Sequence, residues 1–449
     1  MNDIKIDIKI LLYTLLAFLA LCFVSYAVQA QEPLSLQKAV SLAVTHNREV
    51  RAAAAGVQQS QQQVRVAKSL SLPTVTAGAQ AAHYFWLPVF FGLDGNTSNN
   101  KIAYGRFGGK DQAAATIAVA QPLYNAQAAP ALRSARLQEK LGNASLADQA
   151  IIIAAEVKQT YWQIVVLGER LRLQQESLGR NRKALDDAKS LLAQGRALRV
   201  DTLRAYTSVK NLEPDLLKLS YAMEVGKLQL KALIGLDSLQ DIQLSDSLTE
   251  PTAAAIPVES ELYSDAIRNR PDLQALALQP QIDDQQVQLA AAARKPLLNA
   301  VGQYQVQTQV NRFNYLEGYY PSVPFVGLQL SVPLFAGFSN LAKMQQAKLG
   351  KQQSILRRDN AYEKLKAEVH QVMADLQETT ARIQTRRTVR ETAQLSYDIT
   401  QYRYARGVAS RLELTDAELA LTAAQSNYLE AIYDYLSAQI ALDKTTGRK

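Results

Sequence analysis

The sequence predicts a mainly α fold with a small β part, in which one unit of long, antiparallel, coiled-coil-like helices and a few strands is used twice. Three observations predict it. Residues 340–406 contain no proline and one glycine, Gly350, in a run rich in Ala, Gln, Lys, Arg, Glu and Leu, all good helix formers. Just before that run, Val326, Leu328, Leu330, Val332 and Leu334 alternate with other residues at the period of two that a half-buried strand requires. The same order then recurs across the chain: Gly195 answers Gly407, Asp201 answers Glu413, Ala205 answers Ala417 and Gly235 answers Gly447, all at one common offset. Earlier landmarks repeat too, Pro73 with Pro296 and then, at a smaller offset, Pro122-Leu123-Tyr124 with Pro333-Leu334-Phe335, so the first copy carries the longer loop.

The segment 1–30 reads as a secretory signal: Lys5 and Lys9 precede an apolar run over 10–28, and Val28-Gln29-Ala30 offers small residues for cleavage. Cys22, the single cysteine, falls inside that run after Leu21 instead of a small residue, so lipidation is not expected. A mature chain without cysteine has no disulfide, thiolate metal site or thiol nucleophile. The first repeat then spans 31–236: a helical segment over 35–70, a strand over 73–82, a loop, a strand over 115–124, a long helix over 130–194 and a short one over 201–233. Residues 237–258, with Pro251, Pro257 and several Ser and Asp, read as a linker. The second repeat, 259–449, follows with a helical segment over 260–294, strands over 298–310 and 326–335, a long helix over 340–406 and a short one over 412–444. At 1.5 Å per residue each long helix reaches about 100 Å. Two short helices end to end match one long one, the arithmetic of a tall bundle.

The strands carry opposite chemistries on their two faces. Leu298, Ala300, Gly302, Tyr304 and Val306 oppose Gln303, Gln305, Gln307 and Gln309, and Leu328 and Leu330 oppose Gln329 and Ser331. A ten-residue strand with one apolar and one polar side suits a transmembrane barrel, with Gln303, Gln305, Gln307, Gln329 and Ser331 facing the lumen. Aromatic residues gather at the strand ends, Tyr84, Phe85, Trp86, Phe90 and Phe91 at one and Tyr124, Phe335 and Phe338 at the other, as at membrane interfaces. Four strands cannot satisfy their edges in lipid, so the chain must oligomerise. Two chains would supply about 8 strands, a filled interior; three would supply about 12, enough for a lumen, and three fits better.

Nothing in the composition points to catalysis or a cofactor. His46, His83 and His370 are scattered with no second ligand at metal spacing, and no phosphate loop or nucleophile motif appears. The net charge of +8 comes from Lys and Arg interleaved with Asp and Glu, which reads as solvated helix faces, so no nucleic-acid partner is expected.

The duplicated order of elements, Asn269-Arg270-Pro271-Asp272-Leu273, Val332-Pro333-Leu334-Phe335-Ala336-Gly337 and Tyr404-Ala405-Arg406-Gly407-Val408-Ala409-Ser410 together resemble the TolC-like outer-membrane factor family, over nearly all of the mature chain. The resemblance implies a homotrimer with a twelve-stranded barrel in the outer membrane and a helical tunnel in the periplasm, docked on a periplasmic adaptor and an inner-membrane transporter. It implies that the turns at Gly195 and Gly407, with Val408 and Ser410, contact the adaptor, and that Tyr404, Asp201, Glu413 and Asp416 form the periplasmic gate. Copies of Glu413 and Asp416 would then crowd in a narrow neck, favouring cations and raising their pKa. One position departs: the arginine that the family places two positions after the second glycine is Ala409 here. The expected function is passive conduction of small molecules out of an efflux pump. A duct for protein secretion is the nearest alternative, and a non-conducting stalk a more distant one.

Overall fold

Helix and strand periods alternate in the order the repeat implies, and the computed structural model describes residues 33–93, 102–237, 239, 241–249 and 257–448. The signal segment and Cys22 lie outside the described residues. In the first half, α1 (Leu36–His46) and α2 (Arg48–Ser69) lead to β1 (Thr74–His83), β2 (Val89–Leu93), β3 (Ile102–Arg106), β4 (Asp111–Asn125), α3 (Ala128–Ala193) and α4 (Arg199–Ile234). In the second, α5 (Glu259–Asn269) and α6 (Pro271–Ala292) lead to β5 (Leu297–Val310), a 3-10 turn at Tyr315–Glu317, β6 (Ser322–Ser331), α7 (Ser339–Ala405) and α8 (Arg411–Thr445).

Several elements differ from the sequence expectation, each for a local reason. The segment expected as one helix over 35–70 is two. Asn47 breaks it: its Oδ1 accepts the N–H of Glu49 at 2.8 Å and of Val50 at 3.3 Å, capping α2, while its Nδ2 donates to the Leu233 carbonyl at 2.8 Å. The second copy breaks at the matching place by other means. Pro271 opens α6, where a missing N–H costs nothing, and the Arg270 guanidinium grips both oxygens of Asp272, Nε to Oδ1 at 3.0 Å and Nη2 to Oδ2 at 2.8 Å. Burial pushes the Asp272 carboxyl up, but Arg270 outweighs it and holds the group below the usual carboxylate range.

The strand expected over 326–335 begins and ends earlier, over Ser322–Ser331. It pairs from Ser322↔Val306 to Ser331↔Leu297, leaving Pro333 outside. Pro324 is tolerated inside it because the sheet order β1-β4-β5-β6 puts β6 at an edge, where one row of backbone groups has no strand to bond. All neighbours in this sheet are antiparallel, and β4 with β5 joins the two sequence copies. The longer loop of the first copy holds an unexpected hairpin, β2 with β3.

The chain divides into two compact units. One, formed by residues 52–148 and 270–365, contains the sheet and the adjoining helices. There Arg133 donates to Gln285 at 2.9 Å and Gln288 at 2.7 Å, and Lys351 meets Asp284 at 2.6 Å. The other, formed among the described residues by those within 33–51, 149–269 and 366–448, is mainly helical. Ala43, Ile153, Val157, Tyr161, Leu230 and Ile234 are fully or almost fully buried in it. An apolar window of α3 is long enough to cross a membrane, but its Ile151, Ile153, Val157 and Ile164 are spent on this core.

The segment read as a linker is pinned in part. Leu34 bridges to Leu244, Ile242 is buried, and the buried Tyr161 hydroxyl donates to the Leu34 carbonyl at 2.8 Å and accepts the Asp246 N–H at 3.4 Å. Burial pushes the Tyr161 phenol up to about 12, so it stays a neutral donor at any physiological pH. Tyr161→Phe keeps the ring and removes only these bonds. It should cost about 1 kcal/mol, seen as roughly five-fold faster amide exchange at Ser245 and Asp246; unchanged exchange would show that the segment is held by packing alone.

Candidate functional site

In an antiparallel sheet residues paired across strands share a face, so the register sorts the side chains. Gln303 pairs with Ala118 and Phe325, Gln305 with Thr116 and Val323, Gln307 with Ala114, Asn299 with Gln329 and Leu297 with Ser331. Gln303, Gln305, Gln307, Gln329 and Ser331 therefore stand on one face, together with Thr74, Thr76 and Gln80 of β1. Three of them are linked: Gln303 Nε2 donates to Gln305 Oε1 at 2.9 Å, and Gln305 Nε2 donates to Gln307 Oε1 at 3.1 Å. No residue on this face of the four strands is charged.

The opposite face is apolar and open. Val326 is 90% exposed, Leu328 72% and Val75 67%, with Ile117, Val119, Tyr304 and Leu330 also exposed. So broad an apolar surface needs an apolar partner. The sheet also ends in two outer strands, β1 and β6, each with a row of backbone groups that no strand among the described residues meets. Tyr84, Phe85, Trp86 and Phe90 are exposed at the loop end, and Tyr124, Phe335 and Phe338 at the other. The Phe91 side chain lies outside the described residues.

The helical unit carries the second set of expected site residues, at two turns built alike. Gly195 and Gly407 adopt φ of 71° and 74°. Each closes a helix with the same pair of bonds, Gly195 N–H to Leu192 and Arg196 N–H to Leu191, then Gly407 N–H to Tyr404 and Val408 N–H to Arg403, all at 2.8–2.9 Å. A Cβ at either glycine would meet nothing within 4 Å. Val408 projects into solvent and Ser410 caps α8, its hydroxyl accepting the Glu413 N–H at 3.2 Å while Glu413 accepts the Ser410 N–H at 3.2 Å.

Within one chain the expected gate residues have these surroundings. Glu413 is committed to this cap and lies 3.6 Å from Arg403. Within the chain, the Ser410 backbone and hydroxyl hold its carboxyl below the usual range. Asp416 is exposed. Asp201 accepts the Leu198 N–H at 3.4 Å at the start of α4 and, among the described residues, has no hydrogen bond to Tyr404. Tyr404 instead packs with Tyr397, Leu414 and Leu421 and has the Arg411 guanidinium 5.8 Å over its ring. The starts of α4 and α8 do come together, around a groove of about 390 Å³ lined by Val200, Asp201, Leu203, Arg411, Leu412 and Thr415.

Sequence reasoning missed the most deeply placed charge near these turns. Glu418 of α8 is 5% exposed, and its Oε1 accepts Arg180 Nε at 3.0 Å and Asn181 Nδ2 at 2.9 Å, both from α3. Arg180 also lies 6.0 Å over the Tyr397 ring, and burial pushes the Tyr397 phenol up. The signal was there. Leu414, Glu418 and Leu421 fall on one helix stripe, and an acid on an apolar stripe needs a partner. The repeat does not duplicate it: the positions that answer Glu418 and Arg180 in the other copy hold Tyr206 and Thr392.

Compared with known proteins, the chain matches the outer membrane efflux protein family over residues 39–236 and 262–448, one segment per sequence copy. It is 23% identical over 417 residues to the toluene efflux pump outer membrane protein TtgF of Pseudomonas putida, covering 92% of this chain and 83% of that one. To the alkaline protease secretion protein AprF of Pseudomonas aeruginosa it is 22% identical over 333 residues, 73% of this chain and 68% of that one. The crystal structure of the outer membrane protein VceC from Vibrio cholerae shares the fold with a TM-score of 0.73 at 18% identity, over 92% of this chain and 96% of that one.

Proposed function

Because the chain belongs to the outer membrane efflux protein family, we propose that it is the outer-membrane exit channel of an efflux pump and conducts small molecules passively. The observation that carries this reading is the sheet: one amide-lined face, one exposed apolar face and two unmatched outer strands. In lipid the outer strands must find partners, and three copies joined β6 to β1 supply about twelve strands and a lumen. The amide face then lines water and the apolar face meets acyl chains. The helices form the periplasmic part, and an inner-membrane transporter with its adaptor supplies the energy.

The turns at Gly195 and Gly407, with Val408 and Ser410, are where the adaptor docks, and Tyr404, Asp201, Glu413 and Asp416 belong to the gate that docking opens. With Ala409 where the family places an arginine, Arg411 is a cation that lies 5.8 Å over the Tyr404 ring from a different position of the turn. A protein-secretion duct is a second reading, favoured by the match to AprF. In planar bilayers the purified trimer should give stepwise ion conductance, and a monomer or a silent trimer would overturn the channel. Gly407→Trp tests the docking surface, with Gly407→Ala as the control for strain, since a Cβ there meets nothing within 4 Å but any side chain strains a turn at φ 74°: trimers of both should persist while export fails only with Trp. Normal export by the Trp variant would remove the turn from the docking surface.

A further inference from the structure

The loops joining β1 to β4 and β5 to β6 end the sheet in exposed rings and cations. Phe85 and Trp86 are each 78% exposed, and Phe107, Phe313 and Tyr319 are exposed as well. Along β1 this patch follows the apolar face of the sheet. Val75, Ala77, Ala79 and Ala81 lead along β1 to His83, whose ring meets Phe85 edge-on and stacks on Phe313, each at 5.1 Å between centroids.

The patch is also held in shape. The buried carboxylate of Asp111 bonds His83 through one oxygen and accepts the Phe313 N–H at 2.9 Å through the other. That grip holds Arg312 and Phe313 at φ of 66° and 56°, a conformation that non-glycine residues rarely adopt. On the β2–β3 hairpin Phe107 lies over Gly105, whose Cβ would sit 2.9 Å from the ring, and 6.3 Å from the Phe90 ring.

Three cations border these rings. Arg106 stacks 5.6 Å over Trp86, and the exposed Lys110 and Arg312 flank the pinned loop, Lys110 N–H donating to Asn311. None of the three has a carboxylate partner among the described residues, whereas Asp111 is engaged by His83 and Glu317 by Asn314. Cations with no carboxylate partner among the described residues, set beside aromatic rings just where an apolar face stops, match one kind of ligand: acyl chains below and a phosphate at the level of the rings.

We propose that the loop end of the sheet is a binding surface for a phosphate-bearing lipid of the outer leaflet, with Arg106, Lys110 and Arg312 as the phosphate contacts. It rests on the reading of the sheet as membrane-spanning. The test uses the full-length trimer with lipid A as the probe, counting lipid retained per trimer by native mass spectrometry. The triple variant Arg106→Gln, Lys110→Gln, Arg312→Gln should retain at least about five-fold less lipid A than the parent. The charge-preserving variant Arg106→Lys, Lys110→Arg, Arg312→Lys should retain most of it. The parent should lose its preference when the lipid phosphates are removed, and inorganic phosphate alone should not displace the lipid. Equal retention by the Gln variant, equal binding of dephosphorylated lipid, or full displacement by inorganic phosphate would each overturn the proposal. If the triple variant does not assemble, Lys110→Gln alone carries the same comparison. Conductance in bilayers is measured in parallel, so a failed channel and a failed lipid site give different results.

Discussion

Replacing Glu418 by alanine should free the first turns of α8 from α3. The change leaves the Arg180 guanidinium and the buried Asn181 amide without their shared acceptor. Breaking a buried ion pair from one side costs about 3–5 kcal/mol, and because the Arg180 side chain is 29% exposed solvent screening lowers this to about 2–3 kcal/mol. At about 1.4 kcal/mol per decade, that is a change of some thirty-fold or more in the local opening equilibrium. Amide exchange around residues 178–185 and 414–421 should quicken by that factor, and open events of the channel should become more frequent. Glu418→Gln keeps an oxygen for Asn181 and drops the charge, so it should fall between the parent and Glu418→Ala. Exchange rates equal to the parent's in both variants would show that apolar packing alone holds these helices. Because the repeat does not duplicate the pair, Tyr206→Ala at the matching position should leave the neighbouring exchange rates much closer to those of the parent.

Adjacent residues on β6 should behave oppositely. Leu328→Arg places a charge on the apolar face, where it costs about 2–4 kcal/mol near the membrane midplane and is incurred in every copy, so heat-resistant trimers should be lost. Gln329→Arg places the same charge one position on, on the amide face. Those trimers should assemble normally and shift toward anion preference, read as a change in zero-current potential across a salt gradient. The reverse pattern, assembly with Arg at 328 and failure with Arg at 329, would invert the assignment of the faces.

Most of the fold was legible because two periods carry it. The proline-free runs mark α3 and α7, and the alternation around Gln303 and Leu328 separates the two faces of the sheet before any neighbour is known. The position of β6 was misread because the alternation that starts at Val326 runs on to Leu334, past the last paired residue Ser331, and says nothing of the paired residues 322–325 before it. The Asn-Arg doublets at 47–48 and 269–270 mark both helix breaks, yet their role depends on what Asn47 and Arg270 bond. Site residues were less legible for the same reason. Ser410 and Glu413 have the spacing of a helix cap and are one. Glu418 sits on the apolar stripe of Leu414 and Leu421, which says that it needs a partner but not which one, and its partners are 237 and 238 residues away in the chain. Contacts of that range cannot be read from a local period.

If the linked amides of Gln303, Gln305 and Gln307 line the lumen as proposed, they bear on how cargo travels. A wall that offers dipoles but no fixed ions gives a passing molecule many shallow resting places and no deep trap, because an amide trades hydrogen bonds with water at little net cost. Transit past the sheet is then governed by girth and friction, and dissimilar cargoes can share one passage without any of them lodging in it.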